Sequence, residues 1–72
     1  MRYRITVKQN KYANGIRVEK GMTVEVVTPT LMNPVVTNGG QQVADAFMRI
    51  YGIDLKKAGA LNLVYLEVEA VK

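Results

Sequence analysis

Apolar and polar residues alternate strictly over residues 2–8, with Tyr3, Ile5 and Val7 on one side and Arg2, Arg4, Thr6 and Lys8 on the other. A period of two marks an extended segment with one face buried, because successive side chains leave a strand in opposite directions. The same period returns over residues 22–27 and again over 61–71. Only one stretch, residues 43–51, repeats its apolar positions at three- and four-residue steps as an amphipathic helix does. One helix covers one face of a sheet, so the other face is expected to be open to solvent or to another subunit. The expected class is α+β: a three- to four-stranded, mainly antiparallel sheet with one amphipathic helix packed on one face, in the order β-β-β-α-β.

With 72 residues the chain is expected to form one domain, 1–72, and at that size folding buries only about 60% of the unfolded surface. It has no cysteine and no histidine, so no disulfide or Cys/His metal site staples it, and an ordinary core of this size supplies about 3–5 kcal/mol. The apolar 49% of the chain therefore has to carry the fold. The expected core is Ile5, Val7, Ile16, Val18, Val24, Val26, Val43, Phe47, Ile50, Val64, Leu66 and Val68.

Local signals place the turns. Asn14-Gly15 suits the two positive-φ positions of a type I′ hairpin, and a two-residue turn there pairs Ala13 with Ile16 and Lys11 with Val18. Lys20-Gly21 marks a second reversal, and Pro29 and Pro34 bracket a loop in which Leu31 and Met32 either pack beneath the chain or face a partner. Asn38 and Gln41 have capping-box spacing, so a helix is expected to start there. Gly52 is placed to end it, Asp54 to cap one more turn, and residues 61–71 to form the last strand, joining either edge of the hairpin unit. That strand would carry Val64, Leu66, Val68 and Ala70 on its inner face and Leu63, Tyr65, Glu67 and Glu69 on its outer face.

Chemistry is narrowed by the same absences. Without histidine or cysteine the usual neutral-pH proton shuttle, thiol nucleophile and transition-metal ligands are missing. The acids are Glu19, Glu25, Asp45, Asp54, Glu67 and Glu69, and nothing in their spacing places two in one cleft or converges them on a cation. No catalytic, cofactor or metal site is expected, and no cofactor is implied. The longest apolar runs are far short of the roughly 20 residues that cross a bilayer, so no membrane association is expected. The alternating pattern begins at once, without the apolar segment of a signal peptide, which makes the cytoplasm the expected compartment.

Three candidate sites remain. Arg2, Arg4, Lys8 and Arg17 form a possible polyanion-binding stripe, in keeping with a net charge of +4, with Tyr3, Tyr12 or Tyr65 available to stack on bases. Glu19, Glu25, Glu67 and Glu69 on neighbouring outward positions would instead neutralise that stripe by cross-strand pairing. Asn38, Gly39 and Gly40 at a helix N-terminus are a possible anion site, although an ordinary capped helix explains the same residues. Leu63 and Tyr65 on the outer face are a possible interface with a second copy or another protein; an exposed sheet edge would also make pairing through a strand cheap, which Lys and Glu on the strands discourage.

The run Gly15-Ile16-Arg17-Val18-Glu19-Lys20-Gly21-Met22, followed by Asn33-Pro34 and by residues 37–47, resembles a small bacterial family of uncharacterised proteins over nearly the whole chain. The resemblance implies a stand-alone small protein and brings no activity or site residues with it. The expectation is a non-catalytic binding or interaction module, possible as a homo-oligomer; the alternative is a weak nucleic-acid-binding domain using the basic strand face.

Overall fold

The computed structural model describes residues 1–29 and 33–71. Its elements are β1 (Arg2–Val7), β2 (Lys11–Ala13), β3 (Ile16–Val18), β4 (Thr23–Val27), α1 (Gln41–Tyr51) and β5 (Leu66–Val71). β1 lies in the middle of a three-stranded antiparallel sheet ordered β4-β1-β5, while β2 and β3 pair separately as a two-stranded hairpin. The class is α+β, as the periodicities require. Leu31 and Met32 lie outside the described residues.

The hairpin has the expected register, Lys11 opposite Val18 and Ala13 opposite Ile16, because Asn14 and Gly15 both take positive φ, 53° and 77°, as a type I′ turn demands. It leaves the main sheet at a bulge. The Val7 amide donates to the Met22 carbonyl while the Gly21 amide donates to the Val7 carbonyl, so two residues face one and the chain bends away. The final strand joins neither edge of the hairpin. It pairs with β1 instead, Val7 opposite Leu66 and Arg2 opposite Val71.

Alternation determines which face is buried. Tyr3, Ile5 and Val7 of β1, Val24 and Val26 of β4, and Leu66 of β5 meet Val43, Ala46 and Phe47 of α1 in one core. Leu55, Ala58 and Ala60 are fully buried there too. They come from the turns after α1, where the Lys57 amide donates to the Asp54 carboxylate at 3.1 Å and the Ala58 amide to its carbonyl at 3.0 Å. Asp54 thus caps as expected, and the turn it holds supplies core.

Two expected core residues are outside. Ile50 is 54% exposed: its neighbour Tyr51 meets Thr23, the first residue of β4, so the last helical turn stands at the end of the sheet. Val64 is 62% exposed, because the final strand starts at Leu66 and not at Leu61. The Asn62 side chain is the reason: its oxygen accepts from the amides of Val64 and Tyr65, holding the chain in a turn that an extended strand cannot contain.

The helix start also differs from the capping box. Asn38 sits at φ 51° and ψ 39°, Gly39 and Gly40 are left-handed as well, and α1 begins only at Gln41 with no side-chain cap. A capping side chain needs an extended N-cap backbone, and left-handed Asn38 does not offer one. Gln41 reaches forward to Asp45 at 2.7 Å and not back. Gly40 is required here twice over: φ is 74°, and a Cβ would lie 2.8 Å from the Val35 carbonyl oxygen.

Replacing Phe47 by Ala is expected to cost about 3–5 kcal/mol in urea unfolding, whereas Ile50→Ala is expected to stay within about 0.5 kcal/mol. Equal losses at the two positions would contradict this packing.

Candidate functional site

The two edges of the main sheet are built differently. In an antiparallel pair, hydrogen-bonded and non-bonded residues alternate along each strand. On the β4 side β1 uses its odd residues, as the bonds of Met1 to Thr28 and Val7 to Met22 fix. The backbone groups of Thr23, Glu25 and Val27 therefore point outward. Side chains of α1 take three of these six groups, at the two ends of the strand. The Tyr51 hydroxyl accepts from the Thr23 amide at 2.9 Å and donates to its carbonyl at 3.0 Å, and the Gln42 side-chain amide donates to the Val27 carbonyl. Nine residues of helix and four of strand both span about 13.5 Å, so one helix running antiparallel to β4 clamps both ends of that edge.

On the other side β1 uses its even residues, as the Lys8 amide bonded to the Tyr65 carbonyl at 2.8 Å fixes. The outward groups of β5 are then those of Leu66, Val68 and Ala70. The Leu66 amide donates back to the Asn62 carbonyl. Among the described residues, the amides and carbonyls of Val68 and Ala70 have no partner. Leu63 and Val64, both exposed, sit in the turn just before this edge.

The expected open face is the one observed. Arg2, Arg4 and Thr6 stand beside Thr23 and Glu25 on one side and Glu67 and Glu69 on the other, and all are exposed or half-buried. Arg2 and Arg4 both turn to Glu25, at 3.9 Å and 3.5 Å. Arg17 lies on the hairpin, 4.0 Å from Glu19, and Lys8 just past β1 is exposed. Tyr3 is buried, and the Lys11 ammonium sits 5.0 Å from the centre of the half-buried Tyr65 ring, which leaves Tyr12 as the exposed ring of the three. Tyr65 is half-buried against the core, so of the expected interface pair only Leu63 is on the surface.

Asn38 contributes with Gln41, Gln42 and Asp45 to an open pocket of about 340 Å³ that Thr28, Pro29 and Pro34 also line. Gly39 is exposed and Gly40 buried. A carboxylate, Asp45, stands on the wall of this pocket, where an anion would meet like charge. Among the described residues no three carboxylates gather where they could hold a metal ion, and no helix is long and apolar enough to cross a membrane.

The sequence allowed for pairing through a free sheet edge but did not say which strand carries it or that a helix holds the other. The signals were Gln42 and Tyr51, polar groups on a helix otherwise read by its apolar stripe; their targets become visible only once strand order is known.

Compared with known proteins, residues 1–68 match the model of a family described as of unknown function. No curated protein and no solved structure matches.

Tyr51→Phe keeps the ring, which stacks on Phe47 at 5.6 Å, and removes both bonds to Thr23. The expected cost is about 1 kcal/mol, measured by urea unfolding; an unchanged midpoint would mean that the hydroxyl does not hold the β4 edge.

Proposed function

We propose that this chain, which belongs to DUF6140, a family of unknown function, is a non-catalytic interaction module that binds an extended segment of a partner along the free edge of β5. One observation carries the reading: helix side chains hold both ends of the β4 edge, while Val68 and Ala70 present their backbone groups outward with no partner among the described residues. An unpaired edge of this kind is a template for strand addition, in which main-chain hydrogen bonds supply affinity. The strands of the hairpin, three residues each, are too short to serve as well.

Four of the six acids have structural partners, which supports a non-catalytic role. Glu19 and Glu25 face arginines, Asp45 accepts from Gln41, and Asp54 caps a turn. Nucleic-acid binding through Arg2, Arg4, Lys8 and Arg17 draws less support, since three of these cations already face a carboxylate within 4.0 Å.

Extended peptides selected from a display library against this chain are expected to shift the amides of β5 and to lose binding when Val68 is replaced by Pro. That substitution removes an outward N–H and no ladder bond to β1, so the fold is retained. Selected peptides that map elsewhere, or that bind the Val68→Pro variant equally well, would overturn the proposal.

A further inference from the structure

If β5 accepts a strand along its free edge, as proposed for its function, the charge on one face of that edge and the apolar character of the other decide which strand can pair with it. Glu67 and Glu69 stand on the outer face of β5, both exposed, and neither has a cation within 4.0 Å among the described residues. Arg4 lies opposite Glu69 in the ladder, yet its guanidinium turns to Glu25. On the inner face the same edge offers half-buried Val68 and exposed Ala70.

A second copy of this chain is the most available strand, and the registers that pair β5 most fully set its glutamates against each other. Outward groups belong to Leu66, Val68 and Ala70, so a two-fold antiparallel copy must pair these residues with one another. Centred on Val68, the pairing sets Glu67 opposite Glu69 of the second copy, twice. Shifted two places along the strand in one direction it sets Glu67 opposite Glu67, and in the other Glu69 opposite Glu69. Like charges directly opposite destabilise a strand pair. Negative charge along a strand is a recognised guard against self-pairing, and here it leaves the edge open to a strand of opposite charge.

We infer that the β5 edge pairs with an extended segment carrying Lys or Arg at alternate positions, with small or β-branched residues between them, and rejects a second copy of its own chain. The basic side chains meet Glu67 and Glu69 on the outer face, and the intervening residues continue the apolar face beyond Val68 and Ala70. The chain as a whole carries +4, so the attraction is local to this edge, within a Debye length of about 8 Å at physiological salt.

The chain itself supplies the probe. Both glutamates are exposed, so the double variant E67K/E69K retains the fold, checked by circular dichroism, and presents two lysines at the same register. Wild type alone and E67K/E69K alone are expected to stay monomeric in sedimentation, whereas an equimolar mixture forms a heterodimer at least about tenfold tighter than either self-association. Its amide shifts fall on β5 of both partners, it weakens with salt, and Val68→Pro in either partner abolishes it. The neutral variant E67T/E69T separates the charge rule from strand addition itself. If it dimerises through β5 while the charge-swapped mixture does not associate, the edge is competent and the charge rule is overturned. If wild type dimerises through β5, the charge rule is overturned as well. Should neither the mixture nor E67T/E69T associate through β5, both the charge rule and strand addition at this edge fail.

Discussion

The double pairing of β1 is the constraint on which the rest of the molecule depends. Its odd residues are bonded to β4 and its even residues to β5, so a single six-residue strand holds both neighbours and has no free edge of its own. Because β1 alternates without error, all three strands must turn the same phase inward, and Tyr3, Ile5 and Val7 become the floor on which Phe47 and Leu55 pack. The bulge at Gly21-Met22 follows from the same commitment. Once β1 is flanked on both sides, the hairpin has no edge of it to join and has to leave the sheet.

A sheet of three strands has two edges, and this molecule treats them unequally. The helix carries polar side chains at Gln42 and Tyr51 whose atoms end on the outward backbone of β4, which pins both ends of that edge at no cost to the apolar stripe of Val43, Ala46 and Phe47. No element does the same for β5 among the described residues. The turn before it is instead shaped by Asn62, which satisfies the amides of Val64, Tyr65 and Leu66 and stops short of Val68. Pinning both ends of one edge with helix side chains and guarding the other with two carboxylates are different physical solutions: the first competes with any strand for the same backbone groups, and the second excludes only strands of like charge.

Much of the fold was legible in the sequence because it is local. Asn14-Gly15 encodes its own hairpin register, strict alternation in β1 and β4 encodes the buried face, and Asp54 encodes a cap. Ile50 and Val64 were misplaced for a different reason: periodicity says which residues share a face but not where the opposing surface ends. Asn38 had two local readings, a capping oxygen or a left-handed turn residue, and the run Asn-Gly-Gly is as well suited to the second. Strand order was not legible, since β1 pairs with β5 across more than fifty residues of chain. The candidate site inherits that limit. The open edge consists of backbone groups, which every residue possesses, and becomes distinctive only through its neighbours.

Amide hydrogen exchange, resolved residue by residue, tests the asymmetry of the edges most directly. Exchange is expected to be slow at Glu67 and Glu69, whose amides face β1, and slow at Thr23, whose amide is held by Tyr51. It is expected to be fast at Val68 and Ala70, giving an alternating pattern along one strand. Uniform protection along β5, or protection at Val68 and Ala70 in a monomer at low concentration, would mean that this edge is already covered and would contradict the central claim.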